Sequence, residues 1–143
     1  MNTENLLEKI LAAPVGKVVD VLAEILNSDV KLQTIEQNTV SPHKFERKVT
    51  ISSDGLPVIK AQVKFDSTIL PDFILDELLK KKYGIGSILT QNKISATRKV
   101  LSLNQNTDEN KATREYEIII DGTVWFTILE EIRLDNLGTS KNS

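Results

Sequence analysis

The chain has no cysteine and a single histidine, His43. The first absence excludes disulfides, thiolate catalysis and cysteine-ligated zinc. The second leaves too little material for a histidine-rich metal site or a Ser-His-Asp triad, so no metal site is expected. No apolar run is long enough to span a bilayer. The N-terminal stretch MNTENLLEKILAAPVGK puts acids ahead of its apolar residues and has no h-region, so it is not a secretory signal. A cytoplasmic protein is expected. An excess of one charge is missing as well. Basic residues number 18 against 20 acidic ones, the net charge is −2, and only Lys80-Lys81-Lys82 forms a basic run. Nothing in that balance attracts DNA or an anionic membrane, so neither is expected as a partner.

What remains is ordinary globular material. A chain of 143 residues, 40% apolar and 27% charged, suits one domain with one sizeable core. Thr3 followed by Glu4 reads as the opening of a short helix with Leu6, Leu7, Ile10 and Leu11 on one face. Pro14 fits the first turn of a second helix, 15–26, whose apolar side is Val18, Val19, Leu22, Ile25 and Leu26. After Asn27-Ser28-Asp29 the period changes to two, with Val30, Leu32 and Thr34 on one side and Lys31, Gln33 and Ile35 on the other. A loop containing Pro42 and a surface His43 leads to a strand in which Phe45, Arg47, Val49 and Ile51 share a face.

Asp54-Gly55 signals a hairpin turn. The following strand sorts into an apolar face (Ile59, Ala61, Val63, Phe65) and a polar one (Lys60, Gln62, Lys64). Pro71-Asp72 opens a helix with Leu75, Leu78 and Leu79 inward, ending in a solvated lysine run and a C-cap at Gly84. Residues 94–103 read as a strand and NQNTDENK as an exposed loop. A hairpin then turns at Asp121-Gly122, with Trp125 as a packing aromatic, and the tail DNLGTSKNS is expected to fray. Two helices, three strands, one helix and three strands indicate an α+β fold with a largely antiparallel sheet.

Gly84-Ile85-Gly86 invites a phosphate-loop reading. A Walker loop needs Gly-Lys-Ser/Thr entering a helix, and a dinucleotide fold needs strand, GxGxxG and helix. Here the glycines follow a helix and no GK[ST] exists. A helix stop followed by a close-packing glycine is the plainer reading.

RKVTISSDGLPVIKAQ, then LPDFILDELLKKKYGIGSIL, then a C-terminal hairpin ending in an acid resembles the chorismate pyruvate-lyase (4-hydroxybenzoate synthase) family. The shared pattern is an arginine and strand, an Asp-Gly-x-Pro turn and second strand, a helix, and a Gly-x-x-Leu element, continuous from Arg47 to Leu89. The resemblance implies a chorismate lyase-like fold: a six-stranded antiparallel sheet with helices on one side and flap-like elements over an internal pocket. One domain over 1–137, with a frayed tail at 138–143, follows. The same UTRA-like fold also serves the effector-binding domains of a large class of bacterial repressors. The chain has no basic stripe and no room for a separate winged-helix domain, so a DNA-binding role is not expected.

Family members cleave chorismate to 4-hydroxybenzoate and pyruvate with no metal and no organic cofactor. By that resemblance Ile85 and Gly86 present main chain to a ligand carboxylate, glycine letting the backbone come close. Val15 corresponds loosely to an apolar residue over the ligand. On the last strand Glu130 shares parity with Val124, Phe126, Ile128 and Ile132. A carboxylate on a buried face suits a general acid, because desolvation disfavours its charged form. A shift of one residue would give Glu131 that place instead, and a structural ion pair would account for Glu130 equally well. Where the family holds the substrate carboxylate with arginine, this chain has Gln62, with Lys60 and Lys64 on the same face. Arg47 and Arg98 are further cationic candidates. Two functions stay open: cofactor-free lyase action on chorismate, or non-catalytic binding of a small aromatic or carboxylic acid such as 4-hydroxybenzoate.

Overall fold

The computed structural model describes residues 3–106 and 108–137. The Thr3 side chain and the 138–143 tail, for which a cap and fraying are expected, lie outside the described residues. The chain opens with helices α1 (Thr3–Ala12) and α2 (Val18–Leu26), then strands β1 (Val30–Ser41), β2 (Lys44–Ser53) and β3 (Leu56–Asp66). Helices α3 (Asp72–Leu79) and α4 (Ile85–Gln91) follow, then β4 (Thr97–Asn106), β5 (Lys111–Ile120), β6 (Thr123–Arg133) and a short α5 (Leu134–Leu137). The six strands form one sheet in the order β1-β2-β3-β6-β5-β4, every neighbouring pair antiparallel. The helices cover one face. This is the α+β, chorismate lyase-like architecture that the strand pattern and the resemblance indicate.

Turn chemistry fixes the register. Asp54-Gly55 and Asp121-Gly122 both take left-handed backbone, at φ 49° and 86° and at 50° and 77°. Paired positive φ values match the twist of a two-residue hairpin. Pro42-His43 is a third tight turn, because β1 runs on to Ser41 and pairs it with Lys44. The stretch expected to be a loop is therefore strand.

Several element boundaries differ from the sequence reading. Strand β4 runs from Thr97 to Asn106 and not over 94–103, so the first three residues of the expected loop NQNTDENK pair with β5. The helices differ as well, each for a local reason. Helix α2 starts at Val18, not Val15: Gly16 sits at φ 88°, and Pro14 to Lys17 closes as a turn with Lys17 N–H donating to Pro14 O at 3.0 Å. Helix α3 ends at Leu79, well before Gly84, because Lys81 turns to φ 57°. Its buried face is Ile74 and Leu78, while Leu79 is exposed. Residues 85–91, expected as a loop after the helix stop, form helix α4; Gly84 is its N-cap, with Ile88 N–H donating to Gly84 O at 3.0 Å. At the end, 135–137 is helical instead of frayed, since Leu134 and Leu137 are buried under the sheet.

The covered face carries two apolar clusters. One lies under α3 and α4 and includes Val63, Phe65, Ile74, Leu78, Ile88, Leu89 and Phe126. The other lies under α1, α2 and α5 and includes Ile10, Leu22, Leu26, Ile51, Ile59, Ile132 and Leu137. Full burial of one such aliphatic side chain stabilises by about 1.5–3 kcal/mol, so these faces decide which side of each strand turns inward.

Candidate functional site

A cavity of about 100 Å³ lies where the two clusters meet. Its floor is sheet: Val49 and Ile51 of β2, Ile59, Ala61 and Val63 of β3, Tyr116 and Ile118 of β5, Ile128 and Glu130 of β6, and Arg98 of β4. Its roof is Val15 and Gly16, Val18 and Val19 of α2, and the Gly84–Ser87 start of α4. Most of this wall is apolar, and its polar groups are concentrated on β4, β5 and β6.

That polar end is a buried network. Arg114 and Glu130 are directly opposite in the β5–β6 ladder, both on the inner face, and 2% and 5% exposed. Arg114 Nε donates to Glu130 Oε1 at 2.9 Å, with Nη2 2.8 Å from the same oxygen. The Tyr116 hydroxyl donates to Glu130 Oε2 at 2.9 Å. Both carboxylate oxygens are thus occupied by donors. Burial, then the charge and hydrogen bond of Glu130, push the Tyr116 phenol well above its usual pKa, keeping it a neutral donor. The Arg114 and Arg98 guanidiniums flank the Tyr116 ring at 4.7 and 5.2 Å from its centroid.

Among the described residues, Arg98 has no carboxylate within ion-pair distance. Its Nη1 and Nη2 donate to Leu11 O at 3.2 Å and Ala13 O at 2.8 Å, and Nε has no hydrogen-bond partner among the described residues. Burial, reinforced by Arg114, lowers its pKa. Two guanidiniums, one carboxylate and a neutral phenol leave the cluster one positive charge in excess.

Val15, Ile85, Gly86, Glu130 and Arg98, singled out from the sequence, line this one cavity. Gly86 has a reason there besides the expected one. The space its missing side chain would fill is taken by the Gly16 backbone, so helix-to-turn packing by itself requires a glycine there. Glu131 lies on the outer face, paired to Lys111 at 3.3 Å and Arg133 at 3.6 Å.

Gln62, Lys60 and Lys64 do not line the cavity. They alternate with the inward Ile59, Ala61 and Val63, and Gln62 stands between Lys48 and the exposed Leu129 on the outer face. Arg47 is fully buried but elsewhere. It donates to Gln37 Oε1 at 2.7 Å, Leu78 O at 2.6 Å and Tyr83 O at 2.9 Å, tying β2 to β1, to the end of α3 and to the segment before α4. Burial without a counterion lowers its pKa to about 10.

Sequence reasoning missed Arg114, Tyr116 and Gly16. A signal for the first two was present: in TREYEIII, Arg114 and Tyr116 share parity with Ile118 and Ile120, which puts two polar side chains on an apolar face. Among the described residues, no helix is long and apolar enough to cross a membrane.

No protein-family model matches the chain, and no curated protein sequence does. Solved structures share its fold. The effector domain of PhnF from Mycobacterium smegmatis superposes with a TM-score of 0.57 at 10% identity, covering 86% of this chain and 93% of that one. A structure of PhnF from the same organism gives 0.56 at 9%, covering 82% and 64%. The ligand-binding domain of a protein described as a GntR-family transcriptional regulator, from Bordetella bronchiseptica, gives 0.51 at 10%, covering 76% and 89%. At such identities the likeness is one of fold.

Proposed function

We propose that residues 1–137 form one domain that binds a small aromatic or carboxylic acid in this cavity without converting it. The observation that carries this reading is Arg98, a cation with no carboxylate partner among the described residues, bordering a mostly apolar cavity whose one carboxylate, Glu130, is already paired with Arg114. An apolar wall with a few convergent polar groups is the usual form of a small-molecule site. An excess positive charge out of bulk water favours an anion, and a guanidinium favours a planar carboxylate. That an effector domain and a ligand-binding domain share this fold agrees with a binding role.

Chorismate cleavage is the competing reading, and the occupation of Glu130 weighs against it. A general acid must offer a proton to the leaving oxygen. Here Arg114 and Tyr116 already donate to both Glu130 oxygens, which makes the carboxylate a fixed acceptor that orients those two donors. The test is calorimetry with benzoate and 4-hydroxybenzoate, with benzamide as the neutral control, beside incubation with chorismate. The expected result is heat with the acids, none with benzamide, and no pyruvate. Release of pyruvate and 4-hydroxybenzoate at enzyme-dependent rates would establish the lyase instead.

A further inference from the structure

The guanidinium that borders the cavity also holds the end of the first helix. The last carbonyls of a helix have no partners within it, and a cation placed there satisfies both the hydrogen bonds and the helix dipole. At the end of α1, Leu11 O accepts from Arg98 Nη1 at 3.2 Å and from Arg114 Nη1 at 3.0 Å, and Ala13 O accepts from Arg98 Nη2 at 2.8 Å. Glu130 anchors Arg114, so Arg98 is the member of the pair held by neutral carbonyls alone.

The segment Arg98 holds is also the cavity roof. Ala13 leads into the Pro14–Lys17 turn, whose Val15 and Gly16 line the cavity, with Gly16 packed on Gly86. A cavity of about 100 Å³ is smaller than the ~150 Å³ that takes up benzene in an apolar core. An aromatic acid is therefore taken wholly inside only when part of the wall yields. Strands β2, β3, β5 and β6 of the floor are held by ladder hydrogen bonds on both sides, whereas the 13–17 turn is fastened by Arg98, by the glycine contact and by the packing of Ala13 and Val15.

We propose that α1 and the 13–17 turn respond to occupancy of the cavity: a ligand carboxylate takes Arg98 from the carbonyls of Leu11 and Ala13, and the end of α1 loosens as the ligand binds. This rests on the reading of the cavity as a site for a small acid. A guanidinium meets a carboxylate through two parallel hydrogen bonds and an ionic attraction that a neutral carbonyl lacks, which sets the direction of the exchange. By linkage, whatever fastens the end of α1 in the ligand-free arrangement weakens acid binding by the same factor.

The experiment is residue-resolved amide hydrogen exchange on the full chain, with and without saturating benzoate, beside calorimetry on the same samples. The Ala13 and Lys17 amides, which donate to Ile10 O and Pro14 O, are expected to exchange at least fivefold faster with benzoate while β5 and β6 stay unchanged. Arg98→Leu should show the faster exchange without ligand and no further response to benzoate; Arg98→Lys should fall between. Benzoate heat with unchanged or slower exchange at these amides overturns the proposal and leaves the binding reading standing. Absence of heat with either acid overturns both. An Arg98→Leu chain that folds and exchanges like the parent also overturns the proposal, whatever the calorimetry shows.

Discussion

Gly86 at the start of α4 and Gly16 in the turn before α2 meet backbone to backbone: a side-chain carbon on Gly86 would lie 2.6 Å from the Gly16 amide nitrogen. The reverse is as tight, with a carbon on Gly16 2.8 Å from Gly86 O and 2.5 Å from Thr90 Oγ1. Gly16 also needs its φ of 88°, a region closed to most side chains. The two roof elements of the cavity are thus joined where neither tolerates a methyl group.

Gly16→Ala and Gly86→Ala are each expected to lower stability by about 1–3 kcal/mol, the usual cost of overpacking. Gly55 is the control: it has positive φ but nothing within 4 Å of its would-be side chain, so Gly55→Ala carries the backbone cost alone. Urea midpoints read the difference. Equal shifts for Gly16→Ala and Gly55→Ala would mean that the glycine contact does not limit the packing.

Tyr116 gives the protein an alkaline limit. Its phenol titrates higher in the folded chain than its ordinary value of 10.0, so the unfolded chain releases that proton first. The stabilisation is complete below pH 10 and is lost as pH rises beyond it, by about 1.4 kcal/mol per pH unit. Tyr116→Phe removes that slope and, through loss of the bond to Glu130, costs about 1.5–3 kcal/mol at pH 7. Urea midpoints of both chains from pH 8 to 11 should converge as pH rises; parallel curves would refute the assignment.

Glu130 and Glu131 separate by the same logic of burial. Glu130→Gln leaves the buried Arg114 without its counterion, and stranding one member of a buried pair costs about 3–5 kcal/mol. Glu131 pairs with Lys111 and Arg133 at the half-exposed outer face, so Glu131→Gln should cost no more than about 1 kcal/mol. Thermal unfolding of the two variants checks the ordering.

The sheet was legible because its signals are local. Period-two faces and two Asp-Gly turns set which side of β2, β3 and β6 is buried, and Glu130 came inward with Phe126 and Ile128 on parity alone. Helix α4 was not read because it is short and begins with glycine, although Ile85, Ile88 and Leu89 have helical spacing. The cavity cation was harder. Parity put Gln62 with Lys60 and Lys64 on the polar face of β3, but only strand order shows that the helices cover the other one. No local pattern indicates that Arg98, from β4, arrives beside Tyr116 and the carbonyls of α1.

Gln62→Arg tests that correction. An added guanidinium at position 62 extends from the outer face, between Lys48 and Leu129, with the sheet between it and the cavity. The benzoate dissociation constant should change less than twofold. A tenfold gain would put the ligand on the outer face and overturn the cavity assignment.

Arg47 supplies the last prediction, in which charge and hydrogen bonding pull in opposite directions. Burying an uncompensated guanidinium is unfavourable, as its pKa of about 10 records. It persists because Leu78 O, Tyr83 O and Gln37 Oε1 all accept from it, fastening the segment that leads into Gly84 and the cavity roof. Arg47→Met relieves the buried charge but strips a donor from Tyr83 O and Gln37 Oε1, each unsatisfied group costing about 1–3 kcal/mol, while Leu78 O keeps Gln37 Nε2 and the Lys81 N–H as donors. The net expectation is a loss on the order of 2 kcal/mol, since the hydrogen-bond term outweighs the relief. Below pH 10 the arginine is protonated in both folded and unfolded chains, so its burial cost does not vary there. Only between about pH 10 and 12.5 does the unfolded chain hold more protons, and there the parent would gain stability with rising pH. Unfolding midpoints of parent and Arg47→Met should therefore run parallel from pH 5 to 9. Curves that converge in that range would mean that Arg47 is coupled to a titrating partner, contrary to the three neutral acceptors around it.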